Sequence, residues 1–288
     1  MKCAPENGKF EGGQSLAGLI VSSNVLEGDD VTAVKKLTVL LCGYEILPRS
    51  VSIRGGGNRF VMSVPISAYL LETAQGFAVF DTGFNSAILR DPDLRRQHIT
   101  AHGWEAPVVW PQHEMLHQLA EIGVAPDDVR HVILSHAHLD HAGNLKRFPN
   151  AKVWMQKTEH DFAFSGPTRP GVVRADLDGP DIDWALIDGD FEVMPGLDLL
   201  FTPGHTPGHQ SARVVLPKTG PTLLVGDVGD WMQNFDEEIL PGEAADDEAA
   251  LESIRKINRI RREEGALMFV CHDPELIQRQ KLAPAYYD

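Results

Sequence analysis

The segment Ser135 to His141 constrains the fold of this chain more than any other part of the sequence. It reads SHAHLDH and places three imidazoles and one carboxylate within six positions, directly after the apolar run His131 to Leu134. Imidazole nitrogen and carboxylate oxygen are ligands that Zn²⁺, Fe²⁺, Mn²⁺ and Co²⁺ accept. Burying such groups without partners costs about 1–3 kcal/mol for each. The segment therefore predicts a metal site at the end of a strand.

The spacing inside this segment predicts two metals. In a near-extended chain, residues two apart point to the same side, so His136 and His138 can meet one metal. Asp140 and His141 follow after a bend, and we expect them to turn toward a second metal.

Further ligands are expected at three positions where a polar side chain follows an apolar strand. His205 lies in a turn stiffened by proline and glycine, residues 202–209, which read TPGHTPGH. Asp227 follows Leu-Leu-Val-Gly, and a carboxylate that bridges two cations suits this position. His272 follows the run Leu267 to Cys271 and would complete the ligand set of the second metal.

Two neighbouring residues are predicted to support the ligands rather than bind metal. His209 adjoins the next strand, so a structural role is expected for it. Asp81, in the Asp-Thr-Gly turn after an apolar strand, is expected to brace the metal loop.

The order of predicted elements favours an α/β fold, a four-layer αββα sandwich. Helical spacing predicts helices over Gln112–Ile122, near Thr158–Phe164 and over about Asp246–Glu264, while residues 85–110 and 165–190 are expected to be surface loops. Two β-rich halves that each carry helices suggest two sheets packed face to face with helices outside. The predicted strands are Leu37–Cys42, Ser67–Glu72, Gly76–Phe80, His131–Leu134, Ala151–Met155, Phe191–Val193, Leu197–Phe201, Gln210–Leu216, Thr222–Val225 and Ala266–Cys271.

Composition, cysteine spacing and net charge indicate the domain organisation, the compartment and the partners to expect. Residues 1–33 are predicted to be an N-terminal extension, and residues 34–288 a single domain. Cys3, Cys42 and Cys271 form no CxxC pair, which argues against disulfides and for the cytoplasm. The net charge of −15 disfavours nucleic acid and anionic membranes as partners, and no segment approaches the length of a membrane span. A homodimer is left open.

The metal motif and its spacing resemble the metallo-β-lactamase superfamily, and in particular its N-acyl homoserine lactonases. The resemblance covers about residues 34–288 and includes the Asp81 turn and the segment 202–211. It implies a metallo-β-lactamase fold and two metals, usually assigned as zinc. It also implies quorum quenching, in which a small-molecule lactone is the substrate and the ester of its ring is hydrolysed. The predicted metal ligands are His136, His138, Asp140, His141, His205, Asp227 and His272.

The predicted nucleophile is a hydroxide that bridges the two metals. Metal binding lowers the pKa of water from about 15.7 to roughly 7, so such a nucleophile is available near neutral pH. Asp140 is the predicted acid for the leaving alkoxide, because it is both a ligand and close to the developing charge.

The resemblance contains one departure that concerns the substrate. Those lactonases have a tyrosine three residues after the bridging aspartate, whereas this chain has Asp230 there, and an ionised carboxylate cannot donate a hydrogen bond. Either the substrate differs, or Tyr44, Tyr286 or Tyr287 supplies the donor, or Asp230 supports its neighbours. Asp230 is therefore included as a candidate catalytic residue. Aromatic residues expected to line the substrate site are Trp104, Trp110, Phe162, Phe164 and Trp231.

Several alternatives remain open within this fold and outside it. Another lactone, such as that of 4-pyridoxolactonase, a thioester as in glyoxalase II, or a β-lactam are alternative substrates. A sulfur dioxygenase with one iron and a non-enzymatic binding scaffold are alternative classes. The complete second ligand set argues against the last two.

Overall fold

The structure is a computed structural model, and it describes residues 32–288, which form two β-sheets flanked by helices. The first sheet contains β1 (Val34–Pro48), β2 (Val61–Thr73), β3 (Gly76–Phe80), β4 (Val129–Ile133), β5 (Lys152–Gln156) and β6 (Asp183–Ile187). The second contains β7 (Phe191–Met194), β8 (Leu197–Phe201), β9 (Gln210–Leu216), β10 (Gly220–Leu224) and β11 (Leu267–Phe269). The α-helices are α1 (Arg49–Ser52), α2 (Ala87–Arg90), α3 (Pro92–His98), α4 (Met115–Glu121), α5 (Leu139–Ala142), α6 (Lys157–Phe164), α7 (Arg174–Leu177), α8 (Met232–Asp236) and α9 (Asp247–Glu264).

Strand order and direction determine which loops meet. The first sheet has the order β1-β2-β3-β4-β5-β6, antiparallel from β1 to β3 and parallel from β3 to β6. The second has the order β11-β10-β9-β8-β7 and is antiparallel except for the β10–β11 pair. Because β3 and β4 are parallel neighbours, the loops that follow them leave the sheet side by side.

Three apolar clusters separate four layers. Tyr69 and Phe80 of the first sheet pack against Leu199 of the second between the sheets. Met115 of α4 packs on the outer face of the first sheet, and Ile254 of α9 packs on the outer face of the second. The predicted four-layer αββα sandwich is confirmed.

The ends of α9 show how local sequence fixes an element. The Asp246 side chain accepts hydrogen bonds from the backbone N–H groups of Glu248 and Ala249, which caps the N-terminus. The helix ends at Gly265, whose φ of 64° is left-handed and favours glycine.

The hairpin of β1 and β2 is much longer than the sequence predicted. Its register shifts between Leu41 and Gly43, and pairing then continues to Pro48 opposite Val61. Gly43 has a φ of 134°, a left-handed value that the bulge requires. We call the stretch beyond this bulge, residues 43–48 paired with 61–66, the β1–β2 arm. It forms one wall of the cavity described below.

Two segments predicted to be loops contain regular structure. The segment 85–110 contains α2 and α3, and the signal for α3 was present: Asp91 caps the helix and Pro92 occupies its first turn. The segment 165–190 contains α7 and the strand β6, whose side chains are mostly half-buried or exposed, so its apolar pattern was weak. Both loop predictions were wrong in these stretches.

The predicted extension over residues 1–33 lies outside the described residues, apart from Thr32 and Ala33. The division at residue 34, the cytoplasmic location and the homodimer stay predictions. Cys42 and Cys271 are free thiols, as expected, and Cys3 lies outside the described part. Among residues 32–288, no helix is long and apolar enough to span a bilayer.

Candidate metal centre

All seven side chains predicted as metal ligands lie together at the ends of strands. Four follow β4, and the others follow β8, β10 and β11. We call these residues the histidine edge: His136, His138, Asp140, His141, His205, Asp227 and His272.

The first group of the histidine edge consists of His136, His138, His205 and Asp227, whose side-chain nitrogen and oxygen atoms lie within 4.8 Å of one another. His205 Nε2 lies 3.0 Å from His138 Nδ1. Asp227 Oδ2 lies 3.6 Å from His136 Nε2 and 3.4 Å from His205 Nε2. Three imidazoles therefore converge near one carboxylate oxygen.

The second group consists of Asp140, His141 and His272, again within 4.8 Å. Asp140 Oδ2 lies 3.0 Å from His141 Nε2 and 3.5 Å from His272 Nε2. Asp227 Oδ1 lies 3.3 Å from the Nε2 atoms of both histidines. Asp227 thus presents one oxygen to each group, which is the arrangement expected of a bridging carboxylate.

The two groups differ in their electrostatics. Burial, together with His205, lowers the pKa of His138 to about 3, which favours the neutral imidazole that binds metal. Burial also opposes a charge on His141, but Asp140 and Asp227 outweigh it and raise the pKa of His141 well above its usual value. Carboxylates that stabilise a proton on His141 would equally stabilise a metal cation there.

Asp81 braces the loop after β4, as the sequence predicted. Its Oδ1 accepts a hydrogen bond from the Ser135 N–H at 2.7 Å, and its Oδ2 accepts one from the Ser135 hydroxyl at 2.8 Å. Oδ2 also lies 2.8 Å from His141 Nδ1. With Nδ1 engaged by Asp81, the imidazole of His141 is oriented so that Nε2 faces Asp140 and Asp227.

His209 supports Asp227 rather than joining either group. Its Nε2 accepts the Asp227 backbone N–H at 2.9 Å, and its Nδ1 lies 3.0 Å from the Thr202 hydroxyl. This is the structural role that the sequence predicted for His209.

Glu159 links the two loops of the first group, a role that the sequence did not predict. Its buried carboxylate accepts the backbone N–H of Ala137 through Oε1 and that of Gly208 through Oε2, both at 3.0 Å. A Cβ atom on Gly208 would lie 2.1 Å from the Glu159 nitrogen, so only glycine fits there. Glu159 lies within α6, where an isolated glutamate carries no sequence signal for such a role.

A cavity of about 580 Å³ opens over the histidine edge. Asp140, Asp227 and His272 line its floor, and the β1–β2 arm contributes residues 45–48 and Val61 to its wall. The floor is therefore open to a small molecule.

A family model described as the metallo-beta-lactamase superfamily matches residues 63–272. The chain belongs to this superfamily. This superfamily member is 33% identical over 255 residues to an N-acyl homoserine lactonase of Bacillus cereus, which covers 88% of the chain and 99% of the relative. It is also 33% identical over 244 residues to the N-acyl homoserine lactonase of Azorhizobium caulinodans, with 81% and 90% covered.

Solved structures agree with this family assignment. A structure of an N-acyl homoserine lactone hydrolase, with the product N-hexanoyl-L-homoserine bound at its catalytic metal center, matches with a TM-score of 0.80 and 31% identity. The match covers 88% of this metallo-beta-lactamase superfamily chain and all of the other, 100%.

The histidine edge of this superfamily member suits divalent metal ions. Its donors are imidazoles and carboxylates, which are the ligands of such ions. His136 Nε2 is buried and forms no hydrogen bond to any part of residues 32–288, although it points into the first group. A metal ion would satisfy this nitrogen, which otherwise bears the cost of burial without a partner.

The predicted aromatic residues do not all reach the cavity of this metallo-beta-lactamase superfamily member. Trp104 lines the cavity. Trp110 instead stacks on His113, Phe162 and Phe164 pack against the core of the first sheet, and Trp231 lies under the Arg49 guanidinium. Of the five predicted aromatic residues, Trp104 alone lies where it could contact a substrate in the cavity.

The three tyrosines considered as replacement donors lie elsewhere. Tyr44 packs edge-on against His113, Tyr286 lies against Lys36, and Tyr287 packs on Phe269. Asp230, by contrast, lines the cavity and is buried. Among residues 32–288, no tyrosine lines this cavity.

Proposed function

We propose that this chain hydrolyses the ester of a lactone ring, with N-acyl homoserine lactones as its substrates and two zinc ions as its cofactors. The observation that carries the proposal is the position of Asp227, which offers one oxygen to each group beneath an open cavity. The N-acyl homoserine lactonases that share a third of its sequence over most of their length support the choice of substrate.

The histidine edge would hold the two ions in its two groups. His136, His138 and His205 would hold the first, and Asp140, His141 and His272 the second, with Asp227 shared. Bound divalent ions lower the pKa of water to roughly 7 and polarise an ester carbonyl. Residues 34–288 would then form the catalytic domain.

Asp140 would handle the proton of the reaction. His141 and His272 outweigh the effect of burial and lower the pKa of Asp140 to about 2, so this carboxylate is ionised at neutral pH. It can take the proton that the attacking water loses and return it to the ring oxygen when the carbon–oxygen bond of the ester breaks. Asp140 lines the cavity, so the substrate can approach it.

The first test is ring opening of a short-chain and a long-chain N-acyl homoserine lactone by the zinc-loaded chain. Proton release would follow the reaction, a chelated sample would be its control, and metal per chain would be measured by mass spectrometry. Chelator-sensitive opening is expected. If two metals are bound and neither lactone is opened, the proposal fails.

The role of Asp140 is tested by Asp140→Asn, which keeps the shape of the side chain but removes its capacity to carry the proton. Turnover should fall about a hundredfold, while metal content should fall by less than half. Full activity of Asp140→Asn would refute the proton transfer.

A further inference from the structure

The loop between α6 and α7, residues 165–173, forms part of the cavity wall beside the histidine edge. Pro170 and Gly171 of this loop line the cavity. The Gly171 carbonyl accepts a hydrogen bond from the Leu139 backbone N–H at 2.8 Å. The loop therefore lies directly against the segment that carries four of the predicted metal ligands. We call residues 165–173 the α6–α7 loop.

Gly171 fits closely against His138. Its φ of 82° is left-handed, and a Cβ atom at this position would lie 3.1 Å from His138 Cδ2. The next residue, Val172, pairs with His138 in an isolated β-bridge. A shift of this part of the loop would therefore move the cavity wall relative to His138.

The start of the α6–α7 loop is held by the side chain of Arg174, in the first turn of α7. Its Nε donates a hydrogen bond to the Ala163 carbonyl at 2.8 Å. Its Nη2 donates to the Gly166 carbonyl at 2.8 Å and lies 3.4 Å from two neighbouring carbonyls. Within residues 32–288, every hydrogen bond of this guanidinium goes to a backbone carbonyl. Arg174 thus joins the end of α6 to the loop that follows it.

An arginine suits this position for two reasons. The helix α6 ends at Phe164, and the last carbonyls of a helix have no partner within it. A guanidinium has a fork of N–H donors that reaches two carbonyls at once, and its charge is favourable at the negative end of the helix dipole. Residues 165–168 are exposed to solvent, so packing contributes little to holding this half of the loop.

We propose that Arg174 is a positioning residue for the substrate. By fixing the start of the α6–α7 loop, it holds Pro170 and Gly171 where they contact a bound lactone. This rests on the proposed function, because it concerns the same cavity. Arg174 itself is not among the described residues that line the cavity, so it acts through the loop. The wall contacts the substrate in the ground state and the transition state alike, so its displacement should weaken binding without slowing the cleavage of the ester.

The kinetic test separates binding from turnover. In the zinc-loaded full chain, Arg174→Ala should raise KM for N-hexanoyl homoserine lactone about tenfold, while kcat stays within about threefold of the parent. Arg174→Lys keeps the charge but loses the fork, so it should recover part of the lost affinity, and it keeps the test usable if Arg174→Ala folds poorly. Arg96→Ala, at an exposed arginine on α3, should leave both constants unchanged. An unchanged KM, or a fall in kcat as large as the rise in KM, would overturn the proposal.

Hydrogen exchange tests the loop without relying on activity. The Leu139 amide donates to the Gly171 carbonyl, and the Val172 amide donates to the Arg169 carbonyl. In Arg174→Ala, peptides that contain these two amides should exchange at least about tenfold faster than in the parent, while peptides from α9 should not change. Unchanged exchange at both amides, or equally faster exchange throughout the chain, contradicts a role in holding the loop.

A binding measurement separates this proposal from the lactonase activity. Calorimetry gives the Kd of the reaction product, N-hexanoyl-L-homoserine, for the zinc-loaded parent and the two Arg174 variants. Binding about tenfold weaker to Arg174→Ala, and partly restored in Arg174→Lys, supports the positioning role even if the parent opens no lactone. Equal binding to the parent and Arg174→Ala rules it out. A parent that binds no product and opens no lactone contradicts the proposed function, whereas unchanged exchange in the loop contradicts the role of Arg174 alone.

Discussion

The histidine edge and the β1–β2 arm border the same cavity, but the carboxylates around them are supported differently. Behind the histidine edge, Asp81 and Glu159 each accept at least two hydrogen bonds from neighbouring groups. Glu45 on the β1–β2 arm and Asp230 after β10 instead line the cavity itself. Asp81 and Glu159 hold neighbouring loops together, whereas Glu45 and Asp230 face the space that a ligand would enter.

This difference indicates separate tasks for the two regions. A fully hydrogen-bonded carboxylate holds its neighbours in place before any ligand arrives. A carboxylate that lines the cavity can instead contact a bound substrate. We therefore expect changes in the histidine edge and its braces to affect metal content and turnover, and changes in the cavity wall to affect the choice of substrate.

Asp227→Ala should have the largest effect, because it removes the carboxylate that faces both groups. Activity should fall about a thousandfold and metal content should drop below two per chain. Lactone opening and mass spectrometry of bound metal measure the two effects. Asp93→Ala, whose side chain is 90% exposed on α3, is the control. Two retained metals with activity within tenfold of the parent would remove Asp227 from its proposed role.

Glu159→Gln should weaken metal binding about 10- to 100-fold, although Glu159 belongs to neither group. A glutamine has one oxygen, so either Ala137 or Gly208 would lose the acceptor for its backbone N–H. Competition with a chelator measures the affinity, and Glu121→Gln controls for loss of charge. If affinity stays within twofold while the chain unfolds at lower urea, Glu159 supports the fold and does not position the metal loops.

The two regions also differ in how well the sequence predicted them. The histidine edge was predicted in full because one motif and three strand ends carry its residues, and Asp81 follows a strand in the same way. Glu159 was missed because it joins two loops that lie far from it in sequence. The β1–β2 arm was predicted only to Cys42, so Glu45 was not connected with the cavity. Phe162 and Phe164 looked equivalent to Trp104 because aromatic composition does not show which side of a layer a residue faces.

Trp104→Ala tests whether the cavity wall contacts the acyl chain of the substrate. Trp104 lines the cavity and is 38% exposed, so a long acyl chain could lie against it. Each buried methylene contributes about 0.8 kcal/mol, and loss of this surface should reduce the preference for a ten-carbon over a four-carbon chain about tenfold. Trp110→Ala, away from the cavity, should leave the preference intact. Equal losses in the two variants would show that the wall does not select for chain length.

Substitution of Asp176 should give the smallest effect. This carboxylate has a hydrogen-bond partner on only one of its two oxygens, which sharpens the comparison. Its Oδ1 accepts a hydrogen bond from Asn85 at 2.8 Å, whereas its buried Oδ2 has no partner among residues 32–288. Burial raises its pKa to about 6 in the folded chain. The folded chain therefore binds this proton more tightly than the unfolded chain does, and the ionised side chain lowers stability as pH rises from about 4 to 6.

Asp176→Asn should accordingly raise the free energy of unfolding by about 1–2 kcal/mol at pH 8, a figure reduced for partial exposure. The gain should shrink at pH 4.5, where the folded parent is already largely protonated at this position. Urea unfolding of both proteins at the two pH values measures it. A gain of equal size at both pH values would mean that Asp176 destabilises the fold through its missing hydrogen bond and not through its charge.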